Sequence, residues 1–183
     1  MYIKSLFLAF ILLSIFTGCS KHYILSTASN PSEHFTPYQG SIGVEKVVVP
    51  KYLYKREIAV AKSRSEVYFL DSAVWAEDLE EGLTQRVIAF LQKKFRQPDI
   101  YPYPWGVEKN PTVKLKVNIT RFIALGNTVY LEANFTIVHL KTDKTKARLF
   151  SIALPTKNDA GSIVASMDRA FGALEEAIAK ALR

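Results

Sequence analysis

Cysteine is almost missing from this chain of 183 residues: Cys19 is the only one. No internal disulfide can form, whatever the redox compartment. Histidine is scarce too, and His22, His34 and His139 show no metal-ligand spacing. There is no G-x-S-x-G elbow, no glycine-rich phosphate loop and no H-E-x-x-H pair. The usual hydrolase, nucleotide-binding and zinc-protease signatures are therefore absent, and the sequence points to no enzyme, no cofactor and no metal. No run of five or six like charges occurs, although 24 Lys+Arg outnumber 17 Asp+Glu. Without a basic stripe the chain is no nucleic-acid binder. A diffuse positive balance favours solubility, and it also attracts anionic lipid head groups or acidic partners. Long apolar runs are lacking as well: residues 5–16 make about a dozen, short of the ~20 that cross a bilayer as a helix.

That short run is informative in its place. Lys4 supplies a positive charge before it, and small residues follow it. This is the form of a secretory signal peptide, residues 1–18, which takes no part in the fold. The sequence Phe16-Thr17-Gly18-Cys19-Ser20 then resembles a bacterial lipobox, with Phe16 where Leu is usual. A thiol is needed there because sulfur takes diacylglycerol as a thioether. One acyl chain anchors only reversibly, at ~0.8 kcal/mol for each buried methylene, and two or three chains hold permanently. Ser20, where an inner-membrane lipoprotein of enteric bacteria carries Asp, points to the periplasmic face of the outer membrane.

Residues 19–40 read as the lipidated cysteine and a Ser-, Thr-, Asn- and Pro-rich tether, with a short strand at Tyr23-Ile24-Leu25. Residues 41–183 read as a single domain, of a length that can bury a core. Strands are expected at residues 41–49, 57–61 and 66–70, the last two as a hairpin. Helical spacing over residues 72–95 puts Leu79, Leu83, Val87, Phe90, Leu91 and Phe95 on one face, with Asp71 or Ser72 as cap. Glu77, Asp78, Glu80 and Glu81 suit the positive end of that helix dipole better than a metal site. Val113, Leu115, Val117 and Ile119 alternate with polar residues as a half-buried strand. Gly126-Asn127 is a turn across which Arg121 can pair with Glu132, and strands follow at 129–140 and 147–154. A last helix runs from about residue 160. The order βββα-βββα predicts an α+β fold, a largely antiparallel sheet with both long amphipathic helices on one face.

These residues carry a family resemblance. Val47 to Pro50 followed by Tyr52-Leu53, and Trp75-Ala76-Glu77-Asp78-Leu79 opening a helix, are similar to the ABC-transport auxiliary lipoproteins of the PqiC type. Tyr103-Pro104-Trp105 and the Ala-rich terminal helix fall where that family has similar segments, and the likeness spans the mature chain. Lys55-Arg56-Glu57 departs from it, where an Arg-Pro pair is common. The resemblance implies an accessory, docking role in lipid traffic across the periplasm. The implied partners are an MCE-domain protein and an inner-membrane transporter component, with phospholipid as cargo and a homo-oligomer as one form of assembly. A structural or assembly lipoprotein of another envelope machine is the alternative. Pro50, Tyr52, Leu53, Trp75 and Leu79 are family-motif positions expected to be structural. Tyr101, Tyr103 and Trp105, on a Pro-stiffened loop, either contact a partner or cover the edge of the core.

Overall fold

The structure is a computed structural model, and it describes residues 20–104 and 110–183. The signal peptide, Cys19 and Trp105 lie outside the described residues. The strands are β1 (Lys21–Tyr23), β2 (Ile42–Glu45), β3 (Glu57–Ala61), β4 (Val67–Trp75), β5 (Ile100–Tyr103), β6 (Val113–Leu125), β7 (Thr128–His139) and β8 (Lys144–Pro155). Helix α1 (Leu79–Phe95) follows β4, and α2 (Ala160–Leu182) follows β8. The fold is α+β, as the sequence implies. Four strands precede each helix: the short strand expected at residues 23–25 lies at 21–23 and joins the sheet as β1, and β5 is one more than expected.

All eight strands join one mixed sheet with β6 as its spine. One edge of β6 pairs antiparallel with β7 along its length, and β7 pairs with β8 in the same way. The other edge is shared. Its first residues, Val113 to Leu115, pair parallel with β2, and its last two, Ala124 and Leu125, pair parallel with β3. The sheet therefore forks: β2 leads on to β5, and β3 leads through β4 to β1. Antiparallel pairing covers only the hairpins. Four pairings, β1–β4, β2–β5, β2–β6 and β3–β6, are parallel. Hairpin signals sit next to each other in sequence, whereas parallel neighbours do not, so the parallel pairings left no local trace.

Alternation decides which face is covered. Val113, Leu115, Val117 and Ile119 are buried, and the last three lie opposite buried Ile137, Phe135 and Ala133 of β7, where Leu131 and Val129 continue the buried face. A register shift between Ile119 and Arg121 moves the inward side to Phe122 and Ala124. Phe122 then meets Phe171 of α2, their rings 6.3 Å apart. Gly126 supports the tight β6–β7 turn with φ +57°, a conformation that favours glycine.

Two local expectations need correction. Residues 72–75 extend β4 instead of opening the helix, and Asp78, not Asp71 or Ser72, holds the N-cap position. Trp75 and Leu79 are four apart and both buried, so they imitate one helical face while lying on a strand and a helix. The second concerns residues 100–103, expected as a loop, which form β5 against β2. Pro102 within it and Pro104 just past its end hid this strand. An edge position tolerates them because it needs fewer N–H donors.

Candidate functional site

The family-motif residues sit at the fork of the sheet. After Val48 bridges Asn118, a 3-10 turn at Lys51–Leu53 carries the chain from the β2 branch to the β3 branch. Pro50, extended with φ −60°, precedes that turn, and Leu53 is buried beneath it. In the gap between branches β6 has no strand partner on this edge, and Phe122 N–H donates to the Tyr52 hydroxyl at 3.0 Å. Burial pushes the Tyr52 phenol above its ordinary pKa, so it stays a neutral hydroxyl there. The Pro-x-Tyr-Leu element thus closes the fork, a structural role. Trp75 and Leu79 are core residues.

The segment between β1 and β2 has no regular element, yet it does not behave as a free tether. Leu25 and Phe35 are buried in the core. Phe35 N–H donates to the Lys94 carbonyl at 2.7 Å, and the His34 ring meets the Lys93 carbonyl at 2.9 Å. Lys93 Nζ donates to the Ala28 carbonyl and to Asn30, each at 3.2 Å. Helix α1 therefore holds this segment along its length. Composition suggested a linker because the few anchoring side chains are outnumbered by polar ones.

Beneath that segment lies a buried charge cluster. Arg86 of α1 is 0% exposed and donates through Nε and Nη2 to the two carboxylate oxygens of Glu175 on α2, at 3.2 Å each. Its Nη1 reaches Asp168 Oδ1 at 2.5 Å and the Leu25 carbonyl at 3.2 Å. One cation thus serves two carboxylates. Asp168 is half-exposed, whereas Glu175 is fully enclosed. Burial outweighs the pull of Arg86 and raises the Glu175 pKa to about 7. Beside this cluster, buried Lys94 donates to Glu176 at 2.8 Å and lies 4.4 Å from the Phe35 ring centroid. The sequence contained a signal for these residues. Arg86 falls three positions after Leu83 and four before Phe90, inside the apolar stripe, and Glu175 stands between Phe171 and Ile178 in the same way.

Two of the concave surfaces among the described residues adjoin positions that the sequence singles out. A cleft of about 400 Å³ lies between α1 and the β2–β5 branch, with Lys46, Gln85 and Tyr103 on its walls. Tyr103 packs so closely on Gly43 that a Cβ there would come within 2.9 Å of it. Tyr101 pairs in register with Gly43, and both tyrosines are half-buried on an outer strand. A wider groove of about 640 Å³ opens beside Tyr52, Arg64, Arg121 and Tyr130. There Arg121 pairs with Glu132 at 3.2 Å, as the sequence suggested, and its guanidinium lies 4.1 Å from the Tyr130 ring centroid. Glu45 pairs with Lys114 at 3.3 Å and Lys116 at 3.5 Å. Among the described residues no metal-ligating cluster gathers, and no helix is long and apolar enough to cross a membrane.

This framework has relatives. Residues 23–179 match the family described as ABC-type transport auxiliary lipoprotein component. The chain belongs to that family. A crystal structure of an uncharacterized protein is similar with a TM-score of 0.74 and 19% identity, over 90% of this chain and 99% of the other. A protein from Xanthomonas campestris assigned to DUF330 is similar with a TM-score of 0.72 and 17% identity, over 88% and 95%. At those identities the likeness concerns the fold. No curated protein matches the chain at a significant level. Membership places this auxiliary lipoprotein among membrane-anchored proteins of the cell envelope that serve transport.

Proposed function

We propose that this auxiliary lipoprotein is held by lipid on Cys19 at the periplasmic face of the outer membrane. There it docks an MCE-type intermembrane lipid transport system that is driven from the inner membrane. Phospholipid is the cargo of that system, and this chain binds and positions without covalent chemistry. The observation that carries the reading is the family match, which begins at residue 23, just past the lipobox cysteine. Ser20 after Cys19 favours the outer membrane over the inner. The half-buried Tyr101 and Tyr103 on β5 supply aromatic contact area of the kind that protein interfaces favour, and the sequence places Trp105 two residues further on.

Membrane-permeable crosslinking of the tagged full-length protein in its own cells tests this. An MCE-domain protein should co-purify, and a deletion strain should lose lipid asymmetry in the outer membrane. Capture of a cell-wall synthase or a secretion complex, with lipid asymmetry intact, would assign the protein to another envelope machine. The mass of the captured complex also gives the number of copies of this chain.

A further inference from the structure

Only Ser20 separates Cys19 from β1, which starts at Lys21. Two residue steps span at most about 7 Å. If Cys19 carries the lipid, Lys21 is pinned within that distance of it. This inference rests on the anchor reading above, and it concerns which part of the domain then meets the bilayer.

Register fixes the geometry. β1 runs parallel to β4, with Lys21 opposite Ala73, and Val74 lies opposite Glu57 of β3. β4 runs away from the β3–β4 hairpin, so the chain comes into β1 from the hairpin side. From the level of Lys21 to the hairpin is four residues of β3, about 13 Å. The opposite end of the sheet is farther. Ala61 is level with Leu125, so Val113 lies about eight residues of β6 behind Lys21, about 25 Å. At about 25 Å the far end is out of reach of a link of about 7 Å, whereas the hairpin end exceeds that link by only about 6 Å, a depth that the headgroup layer of ~5–8 Å takes up. The hairpin end is the one that can meet the membrane.

The chemistry of that end suits a headgroup layer. The hairpin tip is Lys62-Ser63-Arg64-Ser65-Glu66, with exposed Val67 and Tyr68 at its base. Lys62 and Glu66 neutralise each other at 3.0 Å, which leaves Arg64 as the net charge of the tip. Lys157 lies in the loop after β8, whose last residue pairs with Thr128 beside the β6–β7 turn at the same end. The anionic carboxylate of Asp159, held by Ser162 N–H at 2.9 Å, offsets Lys157 in that loop. The basic hairpin tip, above an aromatic and an aliphatic side chain, matches what interfacial segments carry.

We propose that the β3–β4 hairpin is a bilayer-contact element, seated on the anionic phospholipid surface of the membrane that holds the anchor. Its partner is the lipid surface itself. The domain lies against the membrane in one orientation, with the β7–β8 turn and the C-terminal end of α2 facing away.

The test uses full-length lipidated protein in vesicles of phosphatidylethanolamine with a minority of phosphatidylglycerol, some lipids carrying a nitroxide near the headgroup. Acylation occupies Cys19, so one introduced cysteine is the sole free thiol for a fluorophore. Ser65→Cys reports the hairpin, and Thr142→Cys reports the β7–β8 turn. Quenching should be several-fold stronger at position 65, and Arg64→Glu in the Ser65→Cys background should weaken it while the protein still floats with the vesicles. Equal quenching at both positions in vesicle-bound protein would overturn the orientation and leave the anchor standing. Unchanged quenching with Arg64→Glu would overturn the anionic headgroup assignment. Protein that lacks acyl mass and fails to float would overturn the anchor reading, and this proposal with it.

Discussion

Arg86 and Glu175, 89 positions apart, meet in a bidentate pair between the two helices, and neither side chain has any exposure to solvent. The same guanidinium holds the Leu25 carbonyl and Asp168. One residue thus joins α1, α2 and the segment that leads from β1.

Removing that cation should be costly. Breaking a buried pair from one side typically loses about 3–5 kcal/mol, because the remaining charge stays enclosed. Arg86→Met is expected to lower stability by about that amount at pH 8. The loss should be smaller at pH 5, where Glu175 takes up a proton. Denaturant melts at the two pH values measure both.

Glu175 makes stability depend on pH in a defined direction. Its folded pKa of about 7 lies above the ordinary 4.5, so between those values the folded state holds a proton that the unfolded chain releases. The resulting contribution is full below pH 4.5 and is lost as pH rises through 7. Glu175→Gln should therefore flatten the fall in unfolding midpoint between pH 5 and pH 8. A fall as steep in the variant as in the wild type would place the titrating group elsewhere.

Tyr52 has a role that a ring alone cannot fill. Tyr52→Phe leaves the Phe122 N–H without its acceptor at the fork, for a loss of about 1–2 kcal/mol. Amide exchange at Phe122 should accelerate with it. Leu53→Ala, which removes apolar packing from the same turn, should cost stability without singling out that amide.

The Tyr103 ring lies 5.8 Å from Lys114 Nζ and also walls the cleft beside α1. The double change Tyr101→Ala and Tyr103→Ala should cut the crosslinking yield with the proposed MCE-domain partner several-fold. Acylation and membrane recovery should stay unchanged. Quantitative mass spectrometry of the captured material reads the yield, and an undiminished yield would move the contact off β5.

How far the sequence could be read follows from where each signal lies. β6 and β7 alternate over long stretches around a Gly-Asn turn, so their register, even the Arg121–Glu132 pair, was legible. Helix α2 was legible because its apolar stripe continues for six turns. The start of α1 was misplaced because Trp75 repeats the spacing of Leu79 and Leu83 from the strand side. β5 was missed because Tyr101-Pro102-Tyr103-Pro104 satisfies a loop pattern, and only pairing with β2 makes it a strand. The charge cluster was missed for another reason. No motif singles out Arg86, Lys94 and Glu175, and only their positions on the helix stripes put them inside.

The account depends most on Cys19. Cells carrying Cys19→Ser in place of the wild-type chain should make a folded protein with the same unfolding midpoint. It should be recovered in the soluble periplasmic fraction without acyl mass, and lipid asymmetry should fail as in a deletion strain. Full function from the unlipidated, soluble variant would contradict the claim that membrane attachment is what this protein contributes.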